Sequence, residues 1–133
     1  MLFPYKRYSD AFTRPVIPVR VAAADRWIDY EVLVDSGADI CIFDVELAED
    51  LGLDLHTGHP AIITGATGSP QDVFIHPVEL SIAHHTFGAR VAFMPTANPY
   101  GLAGQRGFFS QLRITFDQPG GQVELQRHSD GVT

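Results

Sequence analysis

The segment LVDSGADICIF at Leu33–Phe43 constrains this chain more than any other. It sets one carboxylate, Asp35, between two apolar runs that read as buried strands. Taking a carboxylate out of water is costly unless something pairs with it or uses it. The strand WIDYEVLV (Trp27–Val34) runs straight into Asp35, and the short run ICIF (Ile40–Phe43) follows. Gly37 permits a sharp turn and a close approach by another backbone or a ligand, because it carries no Cβ. Ser36 offers a hydroxyl to tie the loop down. Strands on both sides hold Asp35 rigidly, and a rigid, partly dry carboxylate is a poised acid or base. One carboxylate alone hydrolyses an amide poorly. Two that share a proton do it well: one activates a water while the other donates to the carbonyl oxygen.

The rest of the chain reads mostly as strand. VIPVRVAA (Val16–Ala23) alternates, with Pro15 and Pro18 marking an edge or an early strand position. Ala24–Arg26 reads as a turn. DVELAEDLG begins a short helix with Asp44 as its N-cap, Leu47, Ala48 and Leu51 on one face, and Gly52 as its stop. Glu46, Glu49 and Asp50 form the solvated face. PAIITGATGSPQDVFIHPVELSI reads as a hairpin with a glycine-bearing tip at Gly65–Gly68. TFGARVAFM (Thr86–Met94) is a further strand, reached through the polar turn AHH. GQRGFFSQL (Gly104–Leu112) reads as a second short helix that turns Phe108, Phe109 and Leu112 inward. RITFD and QVELQ close as a hairpin across QPGG. About seven or eight short strands at this spacing predict an all-β domain, barrel-like or sandwiched. Residues 1–14 read as an N-terminal arm, 15–126 as the domain and 127–133 as a polar tail.

Composition narrows the function classes. At 133 residues the chain is expected to be one domain. A net charge of −7 disfavours nucleic acid or an anionic membrane as the partner. Cys41 is the only cysteine, so no internal disulfide forms. Inside an apolar run it reads as a buried, inert thiol, since a nucleophile needs exposure and a base. His56 with His59, and His84 with His85, read as surface histidines, because zinc needs further ligands at suitable spacing. Asp35 and Asp39 lack the alternating oxygens of a calcium loop. GATG lacks the lysine of a phosphate loop. No metal or cofactor is implied. The first residues carry no apolar leader, and no apolar run is long enough to span a bilayer, so the expected location is a reducing cytoplasm.

The segment around Asp35 resembles the active-site signature of retropepsin-like aspartic proteases, in which two apolar residues precede Asp, Thr or Ser, Gly and Ala. A second element agrees with it: LAGQRGFFSQLRITFD at Leu102–Asp117 is similar to the family's later glycine element, with Leu102 and Ala103 before the pivotal Gly104. Between the two, IITGATGSPQDVFI (Ile62–Ile75) sits where the family carries its flap, with Gly65, Ala66, Thr67 and Gly68 at the tip. The resemblance spans roughly Val16–Leu125. It implies a single-lobe acid-protease barrel with one or two short helices. The chain has one such motif; Asp130 has a Gly directly after it but lies in the polar tail. A homodimer is therefore implied, with Asp35 of each copy facing the other across a two-fold axis.

The family's roles carry over to matching positions. Asp35 binds and activates the hydrolytic water. Ser36 links the two active-site loops, Gly37 takes substrate backbone, and Ala38 and Asp39 line the cleft. The tip at Gly65–Gly68 closes over an extended peptide bound as an added strand. The implied partners are a second copy and a protein or peptide substrate, with Ile62, Phe74 and Ile75 as candidates for apolar pockets. The chain also departs from the family. Residue 103 is Ala where a bulkier aliphatic is usual. PTANPYG (Pro95–Gly101) reshapes one wall. An Arg directly after the glycine braces the acidic residue in many relatives; here Gln105 comes first and Arg106 second. The C-terminus is polar, leaving Val123 and Leu125 as the residues fit for an interface. These departures keep open an alternative, a non-catalytic peptide-binding or dimerisation module on the same fold.

Overall fold

A computed structural model describes residues 1–65 and 68–128. The flap residues Ala66 and Thr67, and the last five residues of the tail with Asp130, lie outside them. Twelve strands are present among the described residues: β1 (Leu2–Pro4), β2 (Lys6–Arg7), β3 (Thr13–Arg14), β4 (Val16–Ala23), β5 (Arg26–Val34), β6 (Cys41–Asp44), β7 (His59–Thr64), β8 (Pro70–Ile82), β9 (His85–Met94), β10 (Gly101–Ala103), β11 (Leu112–Asp117) and β12 (Gln122–Arg127). One helix, α1 (Val45–Asp50), and one 3-10 turn at Leu55–Thr57 interrupt them.

Seven strands form the main sheet in the order β4-β5-β10-β6-β9-β8-β7. A further pairing of β4 with β8, at Arg20↔Ser81 through Ala22↔Glu79, closes it into a barrel. The closure begins two residues beyond Pro18, so the proline stands where β4 still lacks its second neighbour, as a residue without an N–H requires. Alternation along β4 puts Val19 and Val21 inward and leaves Pro18 and Arg20 exposed. The core joins these to Val32, Val34, Phe43, Leu80, Val91 and Phe108. Phe43 sits edge-on between Tyr30 and Phe93, at centroid distances of 5.2 and 6.3 Å.

Helix α1 forms as the sequence predicts. The Asp44 carboxylate accepts the Glu46 N–H at 2.9 Å, Leu47, Ala48 and Leu51 are buried, and Gly52 ends the turn at φ +75°. The second expected helix is absent. Residues 104–111 are a run of turns, in which Phe109 N and Ser110 N donate five residues back to Gly104 O and Gln105 O. Gly107 at φ +91° breaks the helical ladder, and Phe108 reaches the core without one.

The chain ends also differ from expectation. β1 pairs antiparallel with β12, and β11 completes a three-stranded sheet in the order β1-β12-β11. β2 and β3 form a small ribbon within residues 1–14. Val123 and Leu125 are fully buried in the chain's own core, so they are not available for an interface. The inward face of this small sheet needed apolar residues, and these two supply them.

Candidate active site

β5 and β10 run parallel and in register, Val34 beside Ala103, so Asp35 and Gly104 leave the barrel at the same end. Asp35 is half-buried there. Its N–H donates to Ala103 O at 3.0 Å, its carbonyl accepts the Ala38 N–H at 3.2 Å, and its carboxylate Oδ1 accepts the Gly37 N–H at 2.9 Å. The acid is thus aimed by its own turn, with one oxygen engaged and the other without a hydrogen bond among the described residues. Such preorganisation suits a group that must act on a water.

The second glycine element braces the loop from beneath. Gln105 N donates to Ala38 O at 2.8 Å and Arg106 N to Asp39 O at 2.9 Å. A Cβ on Gly104 would lie 2.3 Å from Ile40 O and 2.7 Å from Ala38 O, so only glycine allows this approach. Ala103 is buried and lends its carbonyl to Asp35, and Leu102 lies beside the cleft. No ion pair joins Asp39 to Arg106 among the described residues. Instead the Gln105 side chain donates through Nε2 to Ser36 O at 2.7 Å. The amide at this position can reach a neutral carbonyl without needing a charge.

A cleft of about 510 Å³ opens above Asp35. Gly37, Ala38 and Asp39 form its floor with Asp35, and Ile62, Ile63, Thr64 and Gly65 of the β7–β8 hairpin form its roof. Ser36 and Gly37 are exposed at its rim. A second cavity of about 380 Å³ shares Ile42, Ile63, Gly65 and Leu102 with it and is walled by Met94 and residues 95–98. Of the apolar residues expected in pockets, Ile62 faces the cleft and is 69% exposed. Phe74 and Ile75 do not line it: Phe74 meets His56 edge-on at 4.9 Å, on another part of the hairpin. Gly68, at φ +80°, and Gly65 close the hairpin through Gly68 N to Gly65 O at 2.9 Å. Ala66 and Thr67, the remaining expected tip residues, lie outside the described residues.

Cys41, behind the floor, is fully buried, and burial pushes its thiol up to about 11. Among the described residues no group of His, Cys, Asp and Glu is arranged to hold a metal ion. His76, not among the residues singled out from the sequence, is buried and donates through Nε2 to Leu55 O at 2.9 Å. It shares its inward phase with Val78, Leu80 and Ile82, the one signal that marks it in the sequence.

A closed β-barrel with a half-buried Asp-Ser-Gly loop, a glycine brace beneath it and a hairpin above it defines the single-lobe retropepsin-like fold. Residues 17–106 match the family model described as aspartyl protease, and the chain belongs to that family. The match covers both Asp35 and Gly104. Among solved structures, a retropepsin-like aspartic protease from Rickettsia conorii is similar at a TM-score of 0.68 and 16% identity, covering 94% of this chain and 88% of that one. The EIAV protease, in complex with an inhibitor, is similar at a TM-score of 0.54 and 20% identity, covering 74% of this chain and 88% of that one. Among curated proteins none matches at a significant level.

Proposed function

We propose that this chain is an aspartic endopeptidase active as a homodimer, in which Asp35 and the partner's Asp35 hold one water between them. The observation that carries this reading is Asp35 itself, half-buried on the floor of a roofed cleft and held by the backbone of its own loop. One carboxylate takes a proton from the water as its oxygen attacks the peptide carbonyl carbon. The other, protonated, gives its proton to the carbonyl oxygen. The tetrahedral species then collapses: the C–N bond breaks as the nitrogen takes the proton from one carboxyl and the other carboxylate takes a proton from a hydroxyl, which releases acid and amine and leaves the dyad with its single proton again. The hairpin over the cleft keeps bulk water from the reacting bond.

Mixing wild-type protein with Asp35→Asn at fixed total concentration tests the two-copy requirement. If each site needs two intact aspartates, an equal mixture retains about one quarter of wild-type peptide cleavage, because about one quarter of randomly paired dimers carry both. A fall to about one half would mean that single subunits act alone, and would refute the dyad. Of the alternative, a non-catalytic peptide-binding or dimerisation module, one observation favours the peptide-binding form: Val123 and Leu125 are spent in the chain's own core and do not serve a dimer. Peptides bound with equal affinity by wild type and Asp35→Asn, and cleaved by neither, would establish it.

A further inference from the structure

The wall of the second cavity is a loop that is not held by secondary structure. Residues 95–99, PTANP, belong to no strand or helix, and Pro95 and Pro99 carry no N–H to anchor it. What grips it is a carboxylate from another element. Asp44, the last residue of β6, accepts through Oδ1 from Thr96 N at 2.9 Å and from Thr96 Oγ1 at 3.2 Å. Its Oδ2 meanwhile caps α1 through Glu46 N at 2.9 Å, and its own N–H donates to the Tyr30 hydroxyl at 3.2 Å. Tyr30 in turn sits against Phe43 in the core. The clamp is therefore anchored to a strand, a helix and the core at once. The Thr96 hydroxyl has one other acceptor within reach, Asn98 O at 3.4 Å.

Behind the loop lies open space. A recess of about 390 Å³, separate from the cleft, is lined by Tyr30, Asp44, Thr96, Asn98 and Pro99. The wall thus has a cavity in front and a cavity behind, so packing alone does not fix its position. We propose that Asp44 is a positioning residue for substrate selection: by holding Thr96 it fixes the wall, and so limits the size of the side chain that the cavity admits. This rests on the reading of the cleft as a peptide site. Releasing the clamp lets the wall retreat into the recess, and bulky side chains are then accepted.

The test is a selectivity ratio. Peptides differing only in leucine or tryptophan at one position are compared, position by position, for cleavage by wild type, Thr96→Val, Thr96→Ser and Asp44→Asn. Wild type is expected to prefer leucine at one position. Thr96→Val and Asp44→Asn are expected to narrow that preference by about threefold to tenfold, the equivalent of one lost hydrogen bond. Thr96→Ser, which keeps both donors, is expected to restore the wild-type ratio, which a general loss of stability would not predict. If Asp44→Asn fails to fold, Thr96→Val carries the test, since it changes one loop side chain. The same pairs, synthesised with a reduced CH2–NH bond and measured by calorimetry, give the ratio without turnover, so an inactive chain still decides. An unchanged ratio in Thr96→Val overturns the clamp and leaves the peptide site standing. Binding of neither peptide by wild type overturns the peptide site, and the clamp with it. Wild-type affinity equal for leucine and tryptophan at every position overturns the clamp alone.

Discussion

Gly104→Ala is the substitution for which the structure gives the sharpest expectation. The added Cβ would meet Ile40 O at 2.3 Å and Ala38 O at 2.7 Å. Both are backbone atoms and cannot swing aside. An ordinary carbon–oxygen contact is about 3.3 Å, so roughly 1 Å must come from moving the loop or the end of β10. That movement strains Gln105 N to Ala38 O at 2.8 Å, Arg106 N to Asp39 O at 2.9 Å and Asp35 N to Ala103 O at 3.0 Å. Overpacking costs about 1–3 kcal/mol and each of the three weakened bonds up to roughly 1 kcal/mol, giving a loss of about 1–6 kcal/mol, with the middle of that range expected. For a domain of this size that is a fall in midpoint on the order of 10 °C or more. Thermal and urea unfolding of Gly104→Ala would be read beside Gly88→Ala, at a strand glycine where an added Cβ would find nothing within 4 Å. The control is expected within about 0.5 kcal/mol of wild type. A Gly104→Ala protein within about 1 kcal/mol of wild type, and still active, would show that the two segments do not brace each other.

Two other perturbations separate local chemistry from core packing. Burial acts to raise the Asp44 pKa, but the N–H groups of Thr96 and Glu46 and the Thr96 hydroxyl outweigh it and hold the carboxyl below its ordinary value. A group whose pKa is lower folded than unfolded contributes stability above its unfolded value and loses it as pH falls through the folded one. Asp44→Asn is therefore expected to be less stable than wild type near neutral pH by about 1 kcal/mol: asparagine caps a helix about as well as aspartate, but its one oxygen cannot accept from both Thr96 and Glu46. In denaturant titrations that deficit should shrink below about pH 4, and a deficit constant into stronger acid would contradict the hydrogen-bond origin. Leu125→Ala, at a fully buried position, should cost about 2–5 kcal/mol of fold stability. Unchanged unfolding combined with weaker self-association in sedimentation would instead return Leu125 to an interface.

Much of this architecture is written in local pattern, and the exceptions share a cause. β4, β8 and β9 announce themselves by alternation, and α1 by Asp44 at one end and Gly52 at the other. The loop at Asp35 is legible because a carboxylate between apolar strands has few physical excuses. By contrast, Phe108, Phe109 and Leu112 sit at helical spacing, yet the left-handed Gly107 turns that stretch into consecutive turns. Period alone cannot see a single dihedral. Val123 and Leu125 read the same whether they face a core or a partner, because burial does not depend on which chain supplies the cover. β1 has three residues and finds its mate at the other end of the chain, a pairing with no local signature. The Asp44–Thr96 clamp was equally hidden: the capping aspartate is visible in sequence, but its second task lies fifty-two residues away.

The geometry of Asp35 follows from one topological fact. Because β10 lies between β5 and β6, parallel to the first and antiparallel to the second, the chain segment from Asp35 to Ile40 must pass over the end of β10 to reach its next strand. Gly104 is the point of crossing, which is why its missing Cβ matters more than any side chain nearby. The loop is then fixed by backbone hydrogen bonds to Ala103, Gln105 and Arg106, with side-chain hydrogen bonds from Gln105 to Ser36 O and from Gly37 N to the Asp35 carboxylate. A frame built this way leaves its polar rim, Ser36, Gly37 and Asp39, uncovered by the chain itself. On the proposed reading that rim is where a second copy's loop docks. The cost of exposing it in the monomer is small, because polar groups there remain solvated until the second carboxylate arrives.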